Sequence, residues 1–239
     1  MNALLPTLAD RAELLLLSLR NQLGRRFIVV PALVLVWPVF NWAITFLFGG
    51  TVNFDEEEAQ NVIIGLPLYV LAVALGSGII CKELEQRTLE VVYTIPGGAR
   101  RVWMLKLYAS VVVILVAEAL MAVMTWLVFT DYSLASLLGA FRGALFFLVL
   151  SMGIGALVRS ELFAAMLSGA ICWGVFIFSV SFGDSRWSPL FDPAFNDEIT
   201  QLQILAWSVQ NTVGMTLMII AITALTFARA ERREKMLDY

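Results

Sequence analysis

Six apolar runs of bilayer length decide most of what this chain can fold into: roughly 27–48, 62–81, 103–129, 134–158, 162–182 and 205–228. A helix of about 20 mostly apolar residues crosses the hydrocarbon of a membrane with its backbone hydrogen bonds made internally. Barrel strands would be about 10 residues long and polar at every second position, which these runs are not. Only 15% of the residues are charged and mean hydropathy is +0.83, whereas soluble domains are about a quarter charged. The expected fold is an all-α polytopic membrane protein, one transmembrane domain over 1–239 with six spans.

Placement of the basic residues predicts the orientation. With both termini inside, all of the 16 lysines and arginines except Arg142 and Arg186 fall on the inner half. The outer loop "FDEEEAQ" (54–60) has none, so the positive-inside rule puts both termini in the cytoplasm. Asp10, Arg11, Glu13 and Arg20 interrupt any leader-like apolar core in the first 26 residues. There Leu8, Ala12, Leu15, Leu16, Leu19 and Leu23 share one helical face, which predicts an interfacial helix lying in the headgroups.

The chain has no histidine, and its two cysteines, Cys81 and Cys172, sit in apolar runs. No disulfide, metal site or resident cofactor is expected, and nucleic acid is not an expected partner. Two aspartates within spans, as an intramembrane aspartyl protease needs, are absent, so the chain is not expected to be an enzyme.

One charged stretch interrupts the oil: "CKELEQRTLEVVYTIPGGARRVWMLK", residues 81–106. Leu84, Thr88, Val91, Val92 and Ile95 recur at helical spacing, leaving Glu83, Glu85, Arg87 and Glu90 on the other faces. Pro96-Gly97-Gly98 then turns the chain toward the third span. Such a short amphipathic helix with an acidic face suits docking on a soluble partner.

The N-terminal amphipathic helix, the six spans and "ELEQRTLEVVYTIP" together resemble the type-2 permease family of ATP-binding-cassette transporters. Glu85, Thr88-Leu89-Glu90, Val91-Val92, Pro96 and Lys106 match the family pattern, with Arg87 standing where it usually has glycine. The resemblance implies that the 82–102 loop holds a coupling helix seated in a separate nucleotide-binding subunit. Glu83, Glu85, Arg87, Thr88 and Glu90 are the matching contact positions. ATP and Mg would sit on that partner, since this chain lacks a GxxxxGK[ST] loop. A second permease chain would complete an exporter in a bacterial cytoplasmic (inner) membrane. The second and fifth spans would flank the pathway, with Phe163, Phe176 and Phe178 lining it and 183–204 forming outer re-entrant helices. A non-transporting scaffold and, less in keeping with the residues, a membrane-embedded enzyme are the alternatives.

Two charges fall deep within spans. Glu118 lies about 10 residues from the outer end of the third span and Arg142 about 8 from the outer end of the fourth, so their depths differ by only about 3 Å. A short connection joins the two helices. A Glu118–Arg142 ion pair is therefore expected, either fixing helix register or serving substrate contact or proton coupling. The small-residue clusters at 76–78, 153–156 and 169–170 are expected to let helices approach closely.

Overall fold

The computed structural model describes residues 17, 29–47, 54–86, 88–94, 98–129, 132–182, 187–191 and 200–232. The proposed interfacial helix of 1–26 lies outside these apart from Leu17, as do Arg87, Pro96-Gly97, Arg186 and Phe195. Among the described residues every regular element is helical. Helices α1 (Val29–Leu33) and α2 (Val36–Leu47) make the first span. The short α3 (Glu56–Glu58) runs through a π-helical segment, Ala59–Gly65, into α4 (Leu66–Glu85), which completes the second. A six-residue helix, α5 (Leu89–Thr94), precedes α6 (Gly98–Val128). Then follow α7 (Leu134–Val158), α8 (Glu161–Phe182) and α9 (Gln201–Ala230). Among the described residues six helices are long and apolar enough to cross a membrane.

The second helix is longer than the 62–81 expected for it, and its start explains why. Asp55 accepts the Glu58 N–H at 2.8 Å, and three carboxylates follow in the first turn, where the helix dipole favours them. An acidic loop in the sequence is thus a helix start. Glu56 then accepts the Ser133 N–H at 2.7 Å and the Ser136 hydroxyl at 2.6 Å, tying this helix to the start of α7.

The π-helical segment has its own sequence cause. Pro67 has no N–H to give to a carbonyl one turn back. The Val62 carbonyl takes the Trp37 indole N–H instead, at 2.9 Å, and so binds the first span to the second.

The core is the crossing of α4 and α7, the pair of spans with most of its surface buried. A Cβ on Gly76 would stand 2.2 Å from the Leu148 carbonyl oxygen, and one on Gly155 would stand 2.9 Å from the Cys81 sulfur. The backbones are close enough for the Ser151 hydroxyl to reach the Val73 carbonyl at 2.8 Å. Small residues do here what the sequence predicts. At Gly169 they do not: nothing lies within 4 Å of its would-be Cβ. The first, fifth and sixth spans are peripheral and mostly exposed.

One end of the bundle carries Lys82, Arg100, Arg101, Arg159, Arg229 and Arg232, and we call it the basic end. The acidic end carries Asp55–Glu58. Gly98 opens α6 at φ +75°, a conformation that costs an L side chain about 1–2 kcal/mol.

Candidate functional site

At the basic end the connection between the second and third spans is built into the bundle. Helix α4 continues to Glu85, and the Gln86 and Thr88 N–H groups close its end on the Lys82 and Glu83 carbonyls, each at 3.0 Å. The chain then restarts as α5, with Leu89 buried and Thr88 and Glu90 exposed. A single 84–95 amphipathic helix is therefore not what forms. The first helix ends at Glu85, with Gln86 capping it, and the next starts at Leu89.

Tyr93 fastens α5 to two spans. Its hydroxyl donates to the Ala230 carbonyl, the last residue of α9, at 2.5 Å. Its ring meets Trp103 of α6 edge-on, 6.2 Å between centroids, and Trp103, fully buried, stacks in turn on Phe227 at 6.4 Å. Beneath this, Lys106 of α6 donates to the Glu83 carboxylate of α4, with both side chains buried. The second, third and sixth spans thus meet around one short helix.

Of the five residues proposed to contact an ATPase, the structure removes one. Glu83 is only 5% exposed and is held by Lys106, so no docking protein can reach it. Alternation of faces along 83–90 misplaced it, because Glu83 belongs to the helix ending at Glu85 and not to the one starting at Leu89. Glu85 is exposed but employed: it accepts the Glu161 N–H at 2.8 Å. That carboxylate sits on the positive end of α8, where the helix dipole favours it. Thr88 and Glu90 are exposed, and Arg87 lies outside the described residues.

The expected Glu118–Arg142 pair does not form. Ion pairs among the described residues are Lys106–Glu83 and the exposed Arg100–Glu231 at 3.9 Å. Arg142 instead donates to the Thr212 hydroxyl at 2.9 Å and to the Phe191 carbonyl at 3.0 Å. The reason is azimuth rather than depth. Helix α7 packs chiefly on α4, which also packs on α6, while α6 and α7 touch far less. Arg142 is turned toward α9 and the 187–191 segment.

Glu118 is 7% exposed, and its Oε1 has no hydrogen-bond partner. Tyr132, in the connection at the acidic end, feels its charge. Burial, and secondarily the charge of Glu118, push the Tyr132 phenol above its usual range. A buried oxygen without a donor costs about 1–3 kcal/mol. Glu118→Leu is therefore expected to raise the unfolding midpoint of the purified protein in detergent, by about that much free energy. A lowered midpoint would show that the carboxyl has a stabilising partner.

Phe163 and Phe178 lie exposed on α8, and half-buried Phe176 stacks on Trp173 with centroids 5.7 Å apart. Of the 183–204 segment, residues 187–191 are described and are packed down rather than helical. Asn211 donates to the Ser188 carbonyl at 3.0 Å, Phe191 meets Trp207 at 6.4 Å, and Leu190 and Phe191 are buried.

Sequence reasoning missed Tyr93, Trp103 and Lys106 as the fastening of α5. Lys106 gave a signal: a lysine inside an apolar helix needs a buried acid beside it. No family model, curated protein or solved structure matches the chain.

Proposed function

We propose that this chain is the permease subunit of an ATP-driven transporter, probed and pushed at its basic end by a separate nucleotide-binding subunit. The observation that carries the proposal is the fastening of α5. Exposed Glu90 sits on, and exposed Thr88 immediately precedes, a helix whose Tyr93 is hydrogen-bonded to the end of the sixth span and packed on the third. Force applied to that rim reaches three spans at once. Glu85 adds a fourth link, to the start of the fifth. Two such chains would form the pathway, with Phe163, Phe176 and Phe178 on the side of the fifth span offered to the partner chain. Export from a bacterial cytoplasmic membrane, with both termini inside, completes the proposal.

The test is affinity purification of the tagged chain from its native membranes in mild detergent, with and without Glu90→Lys and Thr88→Lys. A stoichiometric soluble ATPase is expected with the parent chain and at least tenfold less with the double variant. Glu83→Gln should not act on the association in this way. Absence of any ATPase from the folded parent chain would overturn the proposal.

A further inference from the structure

The seam between α7 and α9 holds two cavities, each with an arginine in its lining. These helices run parallel, with Arg142 bonded to Thr212 near one end and Arg229 bonded through Nε to the Ala156 carbonyl, at 3.4 Å, near the other. From residue 142 to 156 an α-helix advances about 21 Å. Two cavities occupy the seam. One, of about 460 Å³, surrounds Arg142 and the hydroxyls of Ser208, Thr212 and Thr216. The other, of about 310 Å³, is walled by Leu150, Ile154, Leu157, Ile222 and Leu225, with Arg229 at its basic end. No carboxylate is among the described residues lining either cavity.

We infer that the second cavity is a binding site for one anionic phospholipid, its phosphate on Arg229 and an acyl chain along the apolar wall. Charge and depth both point to that occupant. Arg229 lies in the last turn of α9 beside the end of α7, at the level where Arg159 caps α7 and the charged Glu231 and Arg232 begin. That is where headgroups meet a bundle of this length. Among the described residues only Nε of Arg229 is engaged, which leaves the terminal guanidinium nitrogens for charge-assisted bonds to a phosphate. Basic pockets between spans at a membrane surface recognise anionic headgroups in this way. The volume lies within the range of ligand pockets, about 300–1,000 Å³, and the wall offers a chain no polar group but the Thr226 hydroxyl, already donated to the Ile222 carbonyl at 2.7 Å. Arg142 is the lesser seat, because Thr212 and Phe191 already hold its guanidinium.

The inference is independent of the transporter proposal, and so is its test. The full-length protein is purified from vesicles of phosphatidylglycerol and phosphatidylcholine in equal parts and examined by native mass spectrometry after detergent washing. One phosphatidylglycerol is expected to stay bound in preference to phosphatidylcholine. Arg229→Gln should cut that preference about fivefold, the effect of removing about one headgroup contact. Arg232→Gln, which removes a charge outside the cavity, should leave it unchanged. Leu225→Trp, which fills the cavity while keeping the arginine, should also release the lipid. An equal effect of Arg229→Gln and Arg232→Gln would reduce the preference to general surface charge and overturn the site. Retention undiminished in both Arg229→Gln and Leu225→Trp would overturn it as well.

Discussion

Gly76→Val is expected to cost about 3 kcal/mol or more and to leave little folded protein after extraction. Even the first carbon of the new side chain would stand 2.2 Å from the Leu148 carbonyl oxygen. That oxygen belongs to the backbone of α7, so relief requires the two central helices to part. Overpacking a tight site costs about 1–3 kcal/mol when side chains can give way, and here the obstacle is the backbone. Separation would also lengthen the 2.8 Å bond from the Ser151 hydroxyl to the Val73 carbonyl. The control is Gly169→Ala in α8. Nothing lies within 4 Å of its Cβ position, so the gain in helix propensity, about 1 kcal/mol at most, should show alone. Thermal unfolding in one detergent compares the two. Similar midpoints for both variants would mean that α4 and α7 are not in close contact.

The contrast between these glycines marks what the sequence can and cannot say. Hydrophobic length gave the number of long apolar helices among the described residues, six, because bilayer thickness sets that length from outside the chain. Small residues signalled close approach at Gly76 and Gly155, yet the same signal at Gly169 meets no neighbour. A linear pattern identifies a helix that tolerates proximity without naming the helix that comes near. Glu118 and Arg142 fail for the same reason: residue counts gave their depth, but not that Arg142 turns toward α9 and Phe191. The acidic run Asp55–Glu58 was misread as loop because its charges were counted for topology and not for capping. At the candidate site the exposed rim was legible, Thr88 and Glu90 above all. Its fastening was not, since Tyr93 and Ala230 are 137 residues apart.

The buried bond between Glu83 and Lys106 should behave as a unit. Removing one partner, as in Lys106→Met, leaves the Glu83 carboxylate buried without its counter-charge, and an uncompensated buried charge costs about 3–5 kcal/mol. Glu83→Gln shortens the loss, because the amide oxygen still accepts from Lys106, but strands an ammonium at 4% exposure. The double variant Glu83→Leu/Lys106→Met removes both charges together. Replacing a buried ion pair with apolar side chains of similar volume is often neutral or stabilising, so the double variant should unfold within about 1 kcal/mol of the parent or above it. Unfolding free energies of parent, singles and double then form a cycle whose coupling is expected to exceed about 2 kcal/mol. Additive single effects would mean that the two groups are not in contact. A recovered double variant has a further use. The bond joins the second span to the third directly beneath α5, so it lies on the route by which motion of that helix would reach both. On the proposed function, if the double variant folds normally, still binds the proposed ATPase, and yet fails to raise its hydrolysis as the parent chain would, the bond serves transmission rather than stability. If it folds and stimulates like the parent, transmission runs through Tyr93 and Trp103 instead, and Tyr93→Phe becomes the variant that should uncouple hydrolysis from the spans.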